Sequence, residues 1–277
     1  EIGTGDWSSD VCSSDLTPLT NRVLLKLSGK DVQSFLQGQF SNDINALEEG
    51  VVQINAYCQH QGKIIALVWV MKKDEDFYVS FPADLEEVVA KRLNMFKMMS
   101  DVTITEVSNG IIQLGVIDEV FDNSFKLNDQ QSIALVDNVD GINLSNSEIW
   151  EQACIESGLP EVYLNTSEQF VPQLLNLDID EVGVSFTKGC YPGQEVVARL
   201  HYLGKSKRRL RTFECEGDIV VGDELIATHS TSSKASGMVV RHVKLETKSL
   251  CLATIEIAHE DGEITLNNTR KTKLTRI

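Results

Sequence analysis

Residues 188–199 read Lys188-Gly189-Cys190-Tyr191-Pro192-Gly193-Gln194-Glu195-Val196-Val197-Ala198-Arg199. Gly189, Pro192 and Gly193 in so short a span specify a tight turn in which backbone can approach a ligand closely. Gln194 and Glu195 then open a helical turn, where the aligned peptide dipoles favour a carboxylate. A cysteine beside a lysine, with backbone N–H groups nearby, sits where a thiol gives up its proton more readily. The residues alone leave two readings. One is a reactive thiol and an acid aimed at a ligand; the other is a turn around a half-buried structural thiol.

Charge concentrates around this stretch. Between 185 and 211, Lys188, Arg199, Lys205, Lys207, Arg208, Arg209 and Arg211 stand against Glu195 alone. The chain of 277 residues carries a net −16, so an island of +6 sits in a remainder of −22. A local basic island predicts an anionic ligand at one place, whereas binding a nucleic-acid backbone needs broad positive surface. Direct tRNA binding is therefore not expected.

Working outward, the pattern upstream mixes α and β. Residues 23–27 suit a strand, and 31–40 a short helix with Val32, Phe35 and Leu36 on one face. The runs 51–58 and 64–71 are strand-like and joined by the turn Gln59-His60-Gln61-Gly62-Lys63, which predicts a hairpin. Another strand fits 77–81. Leu85, Val88, Val89, Leu93 and Phe96 recur at helical spacing over 84–99. Strands fit 102–107, 111–117 and 133–136. A helix fits 147–157 with Ile149, Trp150 and Ala153 inward, ending at Gly158 with Pro160 beyond. Without regular βαβ spacing, this predicts an α+β domain with antiparallel sheets. Trp69 and Trp150 are read as core.

Downstream the texture changes. Short β-rich runs at 209–215, 224–228, 237–243, 250–258 and 273–277 are separated by turn-formers such as Glu216-Gly217-Asp218 and Glu260-Asp261-Gly262. A small closed or nearly closed β-barrel over 208–277 is expected after a larger domain over 17–207. The basic island lies at that junction, a common location for ligand sites. Asp6 to Leu16, DWSSDVCSSDL, lacks either periodicity and resembles the translation of a common sequencing adapter. Residues 1–16 are accordingly set aside as non-native, Cys12 with them.

Apolar residues at 42% and charged residues at 24% place the chain among soluble globular proteins. It contains no run of 18 apolar residues and no basic-then-apolar leader, so a cytoplasmic protein off the membrane is expected, as a monomer. Cys12, Cys58, Cys154, Cys190, Cys215 and Cys251 include no C-x-x-C pair. Reduced thiols are expected, with no resident metal or cluster. Cys58 and His60 lack further nearby ligands and are read as structural.

The string KGCYPGQEVVARLHYLGKSKRRL resembles the K-G-C-[FY]-x-G-Q-E-x-V-A-R signature of the YgfZ family. Two further segments carry the resemblance. Phe35-Leu36-Gln37-Gly38-Gln39-Phe40-Ser41-Asn42-Asp43 is similar to F-L-Q-G-Q-x-[ST]-x-D, and Phe170-Val171-Pro172-Gln173 with Asn176 is similar to F-x-P-Q-x-x-N. The resemblance runs from about Thr17 to the C-terminus. It implies a folate-binding domain like that of the glycine-cleavage T-protein, with ferredoxin-like halves, followed by a small barrel. It also implies tetrahydrofolate, or another reduced folate, as cofactor and a role in assembly or repair of iron–sulfur enzymes, including those that modify tRNA. On that reading Cys190 is the functional thiol, with Lys188 its modulator, and iron–sulfur client or assembly proteins are the partners.

A pterin ring offers a 2-amino group and a ring N–H as paired donors, which one carboxylate accepts in parallel. Glu195 matches the acid that does this in the T-protein's related motif. Gln194, Tyr191, Arg199 and Arg208 complete the implied folate set, with the anionic tail toward the basic island. The rival is an aminomethyltransferase of the T-protein kind, which carries G-G-x-x-D-D after its first hairpin turn. Here the matching positions hold Ile65 and Ala66, which have no ionisable group for acid–base work.

Overall fold

The expected hairpin is present in the structure, a computed structural model that describes residues 15–118, 123–230 and 234–277. Strands β1 (Asp15–Pro18), β2 (Arg22–Ser28), β3 (Val52–Cys58), β4 (Ile64–Lys73), β5 (Asp76–Pro82) and β6 (Thr103–Glu106) are the first six of the chain. β3 and β4 pair antiparallel with Val52 opposite Met71, and Gln59 N–H donates to the Lys63 carbonyl at 2.9 Å to close the turn. The five-stranded sheet runs β3-β4-β5-β2-β6, antiparallel throughout. β4 is buried from Ile64 to Met71 because both of its faces are covered. Ala66, Val68 and Val70 pack into one core with Val32, Phe35 and Leu36 of α1 (Val32–Gln39) and with Val89 and Leu93 of α2 (Glu86–Phe96). Leu67, Trp69 and Met71 pack into the other.

That second core joins the first sheet to a four-stranded antiparallel one, ordered β1-β7-β9-β8, with β7 (Ile112–Ile117), β8 (Ser124–Lys126) and β9 (Gln131–Val136). Trp69 meets Trp150 of α3 (Ser147–Glu156) edge to face, with ring centres 6.5 Å apart. Both tryptophans are core residues, as expected.

Several expectations need correction. On α2, the inward line is Val89 and Leu93, preceded by Leu85; Val88 sits a quarter turn away and Phe96 at the last helical residue, and both are exposed. On α3, Trp150, Cys154 and Ile155 face inward while Ile149 is exposed and Ala153 half-buried. β8 escaped the sequence reading because three residues give no alternation to count. The boundary of the set-aside segment also moves. Asp15 and Leu16 belong to β1, opposite Ile117 and Val116, and the Asp15 carboxylate accepts a hydrogen bond from Ser145 at 2.9 Å. Residues 1–14, Trp7 and Cys12 among them, lie outside the described residues.

The C-terminal strands close a barrel in the order β10-β13-β12-β11-β14-β15. These are β10 (Arg208–Cys215), β11 (Glu224–Ala227), β12 (Gly237–Lys244), β13 (Ser249–Glu256), β14 (Ile264–Leu266) and β15 (Lys273–Arg276). The sequence reading missed only β14, again a three-residue strand. Arg241 of β12 fastens the barrel to α3: its guanidinium donates to Glu151 at 2.8 Å and to the Leu159 carbonyl at 3.0 Å.

Candidate thiol and carboxylate site

The 188–199 stretch forms the predicted turn and helix. α4 (Gln194–Leu203) starts at Gly193, whose φ of 85° lies in the left-handed region. A Cβ there would stand 2.5 Å from the Gln59 carbonyl oxygen and 2.7 Å from the Cα of Gly62, itself at φ 75°. The signature turn and the β3–β4 turn are therefore in backbone contact, an approach that only glycine permits.

The three segments that carry the family resemblance meet here. Lys188 is 8% exposed, and its ammonium donates to three carbonyls: Gln37 at 2.6 Å, Phe40 at 2.5 Å and Asn42 at 3.0 Å. Gln37 and Phe40 end α1, where a helix leaves carbonyls without internal partners. From the third segment, Gln173 donates to the Val197 carbonyl of α4 at 2.8 Å, and Asn176 donates to the Leu210 carbonyl of β10 at 3.1 Å. Burial pulls the Lys188 ammonium down to about 8, with Asp43 opposing the shift. With its donors taken by carbonyls, Lys188 anchors the turn.

Tyr191 is buried over the Lys188 ammonium, 5.2 Å from ring centre to nitrogen, and burial raises its phenol. Gln194 is half-buried and donates to the Lys188 carbonyl at 3.4 Å. Cys190, Glu195 and Arg199 are exposed. Among the described cysteines Cys190 alone is exposed; Cys58, Cys154, Cys215 and Cys251 are buried. Burial pushes the Cys58 and Cys154 thiols up to about 12 and about 11, and raises those of Cys215 and Cys251 as well. Among the described cysteines, Cys190 is thus the one that a reactant from solution can reach.

The basic island is smaller than its sequence suggests. Arg208 donates to the Ala235 carbonyl at 2.5 Å and pairs with Glu256 at 3.1 Å. Arg209 pairs with both oxygens of Asp178, at 2.5 and 3.0 Å, and Arg211 pairs with Glu260 at 2.7 Å. Arg199, Lys205 and Lys207 are exposed and take part in no ion pair among the described residues. Arg208, expected to bind cofactor, is thus engaged within the barrel, where it lines a cleft of about 440 Å³ with Phe170, Lys234 and Asn267. A larger cleft of about 770 Å³ lies between α3, β1 and the barrel. Neither is lined by Cys190 or Glu195.

Sequence reasoning overlooked Asp178, the acid that neutralises Arg209, and the clasp role of Gln173 and Asn176. The motif match flagged the last two, but nothing local says what they hold. Ile65 and Ala66 lie buried in β4 beside the turn that Gly193 touches. No helix among the described residues is long and apolar enough to cross a membrane.

The architecture is that of aminomethyltransferase T. The Bartonella henselae glycine cleavage system aminomethyltransferase T superimposes with a TM-score of 0.68 at 11% identity, covering 95% of this chain and 84% of that one. No family model matches the chain. An uncharacterized protein of Haemophilus influenzae is 32% identical over 242 residues, covering 84% of this chain and 86% of its own length. The tRNA-modifying protein YgfZ of Klebsiella pneumoniae is 28% identical over 277 residues, 87% of this chain and 84% of that one, and its namesake from Colwellia psychrerythraea is 28% identical over 227 residues, 70% of each. The chain belongs to the YgfZ family.

Proposed function

We propose that this protein binds tetrahydrofolate, or another reduced folate, and serves as an accessory factor in assembly or repair of iron–sulfur enzymes, including those that modify tRNA. The observation that carries the reading is that Cys190 and Glu195 stand exposed on a turn whose other functional side chains, Lys188 and Tyr191, are buried. The residues fit a folate. A Cβ at Gly189 would meet nothing within 4 Å, so the backbone between Lys188 and Cys190 borders open space. The Glu195 carboxylate takes part in no ion pair among the described residues, which leaves it for the paired donors of a pterin. Arg199, one helical turn on, would meet anionic parts of the ligand, with Gln194 and Tyr191 shaping the pocket edge. A folate supplies a carrier for one-carbon units; the thiol is this chain's own.

An accessory role is favoured over aminomethyl transfer because Ile65 and Ala66 occupy the positions where the T-protein holds its acids. The relatives' name, tRNA-modifying protein, supports the same direction.

Two measurements test this. Calorimetric titration with tetrahydrofolate is expected to show at least about a tenfold loss of affinity in Glu195→Ala, since a carboxylate bonded to paired donors contributes more than about 1.5 kcal/mol. Unchanged affinity removes Glu195 from the site. In a deletion strain, the activity of [4Fe–4S] tRNA-thiolating enzymes is expected to fall and to be restored by wild type but not by Cys190→Ala. Equal rescue by both removes the thiol from the mechanism.

A further inference from the structure

α4 is built the wrong way round for a helix that merely covers a core. Of its ten residues only Val197 is buried, while Tyr202 is 65% exposed and Leu203 83%. Beside them, Phe186 stacks on His201 with ring centres 3.7 Å apart, and Tyr202 meets both rings edge-on. The apolar and aromatic end of the helix runs into Lys205 and Lys207, both exposed. The neighbouring arginines are each neutralised by an acid of the same chain: Arg208 by Glu256, Arg209 by Asp178, Arg211 by Glu260. Among the described residues no acid pairs with Lys205 or Lys207, in a chain whose net charge is −16. Acids are abundant here, so cations left without them next to an apolar cluster call for charge from elsewhere.

We propose that the C-terminal end of α4, made of Tyr202, Leu203, the Phe186–His201 stack, Lys205 and Lys207, docks an acidic, apolar-faced segment of a partner protein. An aromatic and aliphatic centre with a charged rim is the anatomy of a protein–protein contact. Complementary charge at such a rim speeds encounter and sets register. The exposed aliphatic side chain of Leu203 and the chain's overall negative charge both disfavour a nucleic acid backbone. A second copy of this chain, joined through a twofold axis, would bring the lysine pairs together. The surface is continuous with the candidate site: Glu195 and Leu203 lie on one helix, about 12 Å apart along its axis at 1.5 Å per residue. A segment held at Leu203 therefore lies against the same helix that carries Glu195. Identifying this partner with the iron–sulfur client rests on the function proposed above; the docking surface itself does not.

The test is photo-cross-linking in cells with a benzophenone amino acid substituted at Tyr202 and, separately, at Leu203, with Glu148 on α3 as an exposed control position. Both positions on α4 are expected to give an adduct to a polypeptide whose contact peptide carries Asp or Glu beside apolar residues, and Glu148 to give none. Adding Lys205→Glu with Lys207→Glu is expected to lower the yield at least about tenfold, because like charges are then juxtaposed. Both lysines are exposed, and an unchanged melting temperature verifies that this variant folds. An adduct to RNA, an adduct to a second copy of the chain, a contact peptide without acids, or an undiminished yield in the charge-reversed variant overturns the proposal. Persistence of the adduct in Cys190→Ala, where rescue is lost, separates docking from thiol chemistry.

Discussion

Replacing Lys188 with methionine is expected to destabilise the protein by about 3 kcal/mol and to loosen the turn that carries Cys190. The side chain keeps its length and apolar stem, so packing over Tyr191 is largely retained. The ammonium is lost, and with it the hydrogen bonds to Gln37, Phe40 and Asn42. Leaving one buried acceptor unpaired costs about 1–3 kcal/mol, and the three here close the end of α1 onto the signature turn. Arginine is not expected to rescue: its planar fork cannot converge on three carbonyls as a compact ammonium does. Chemical denaturation measures the loss, and hydrogen exchange should quicken at α1 and at the first turn of α4. Stability within about 0.5 kcal/mol of wild type would mean that the carbonyl cage does not hold the turn.

The second large effect lies away from the site. Arg22 and Glu161 form an ion pair in which both side chains are almost completely buried. The guanidinium also donates to the Ser80 hydroxyl at 2.9 Å and the Ser80 carbonyl at 3.0 Å, and lies 3.6 Å from the centre of the Trp69 ring. Ser80 in turn donates to Gln113 at 2.5 Å, so this one arginine links β2, β4, β5 and β7. Glu161→Ala leaves the cation buried without its counter-charge, and the expected loss is about 3–5 kcal/mol. Removing both charges should do less harm than removing one. Arg22→Met combined with Glu161→Leu is therefore expected to recover much of the loss, and the double-mutant cycle to return a coupling above about 1 kcal/mol. Additive losses would show that the pair is not coupled and that each group is held by its other bonds.

Much of the fold was written locally. The hairpin over β3 and β4, the inward face of α1, two core tryptophans and five of the six barrel strands follow from apolar spacing and turn chemistry. The signature's tight turn was equally legible, because Gly193 and Pro192 constrain backbone whatever surrounds them. Helix faces were read less well. On α2 and α3 several apolar residues compete for a narrow inward stripe, and the neighbouring sheet chooses Val89 over Val88 and Ile155 over Ile149.

Local sequence therefore specifies the run of elements and the residues of the signature. Tertiary structure alone decided which charges remain available. Counted along the chain, 185–211 is a basic island; folded, Arg209 meets Asp178 from 31 positions away and Arg208 meets Glu256 from 48. Lys188 is taken by carbonyls up to 151 positions distant, and the Arg22–Glu161 pair spans 139. Backbone preference acts over a few neighbouring residues and can be read in order. Electrostatic neutralisation acts through space, so it exists only once the sheets, α4 and the barrel have come together.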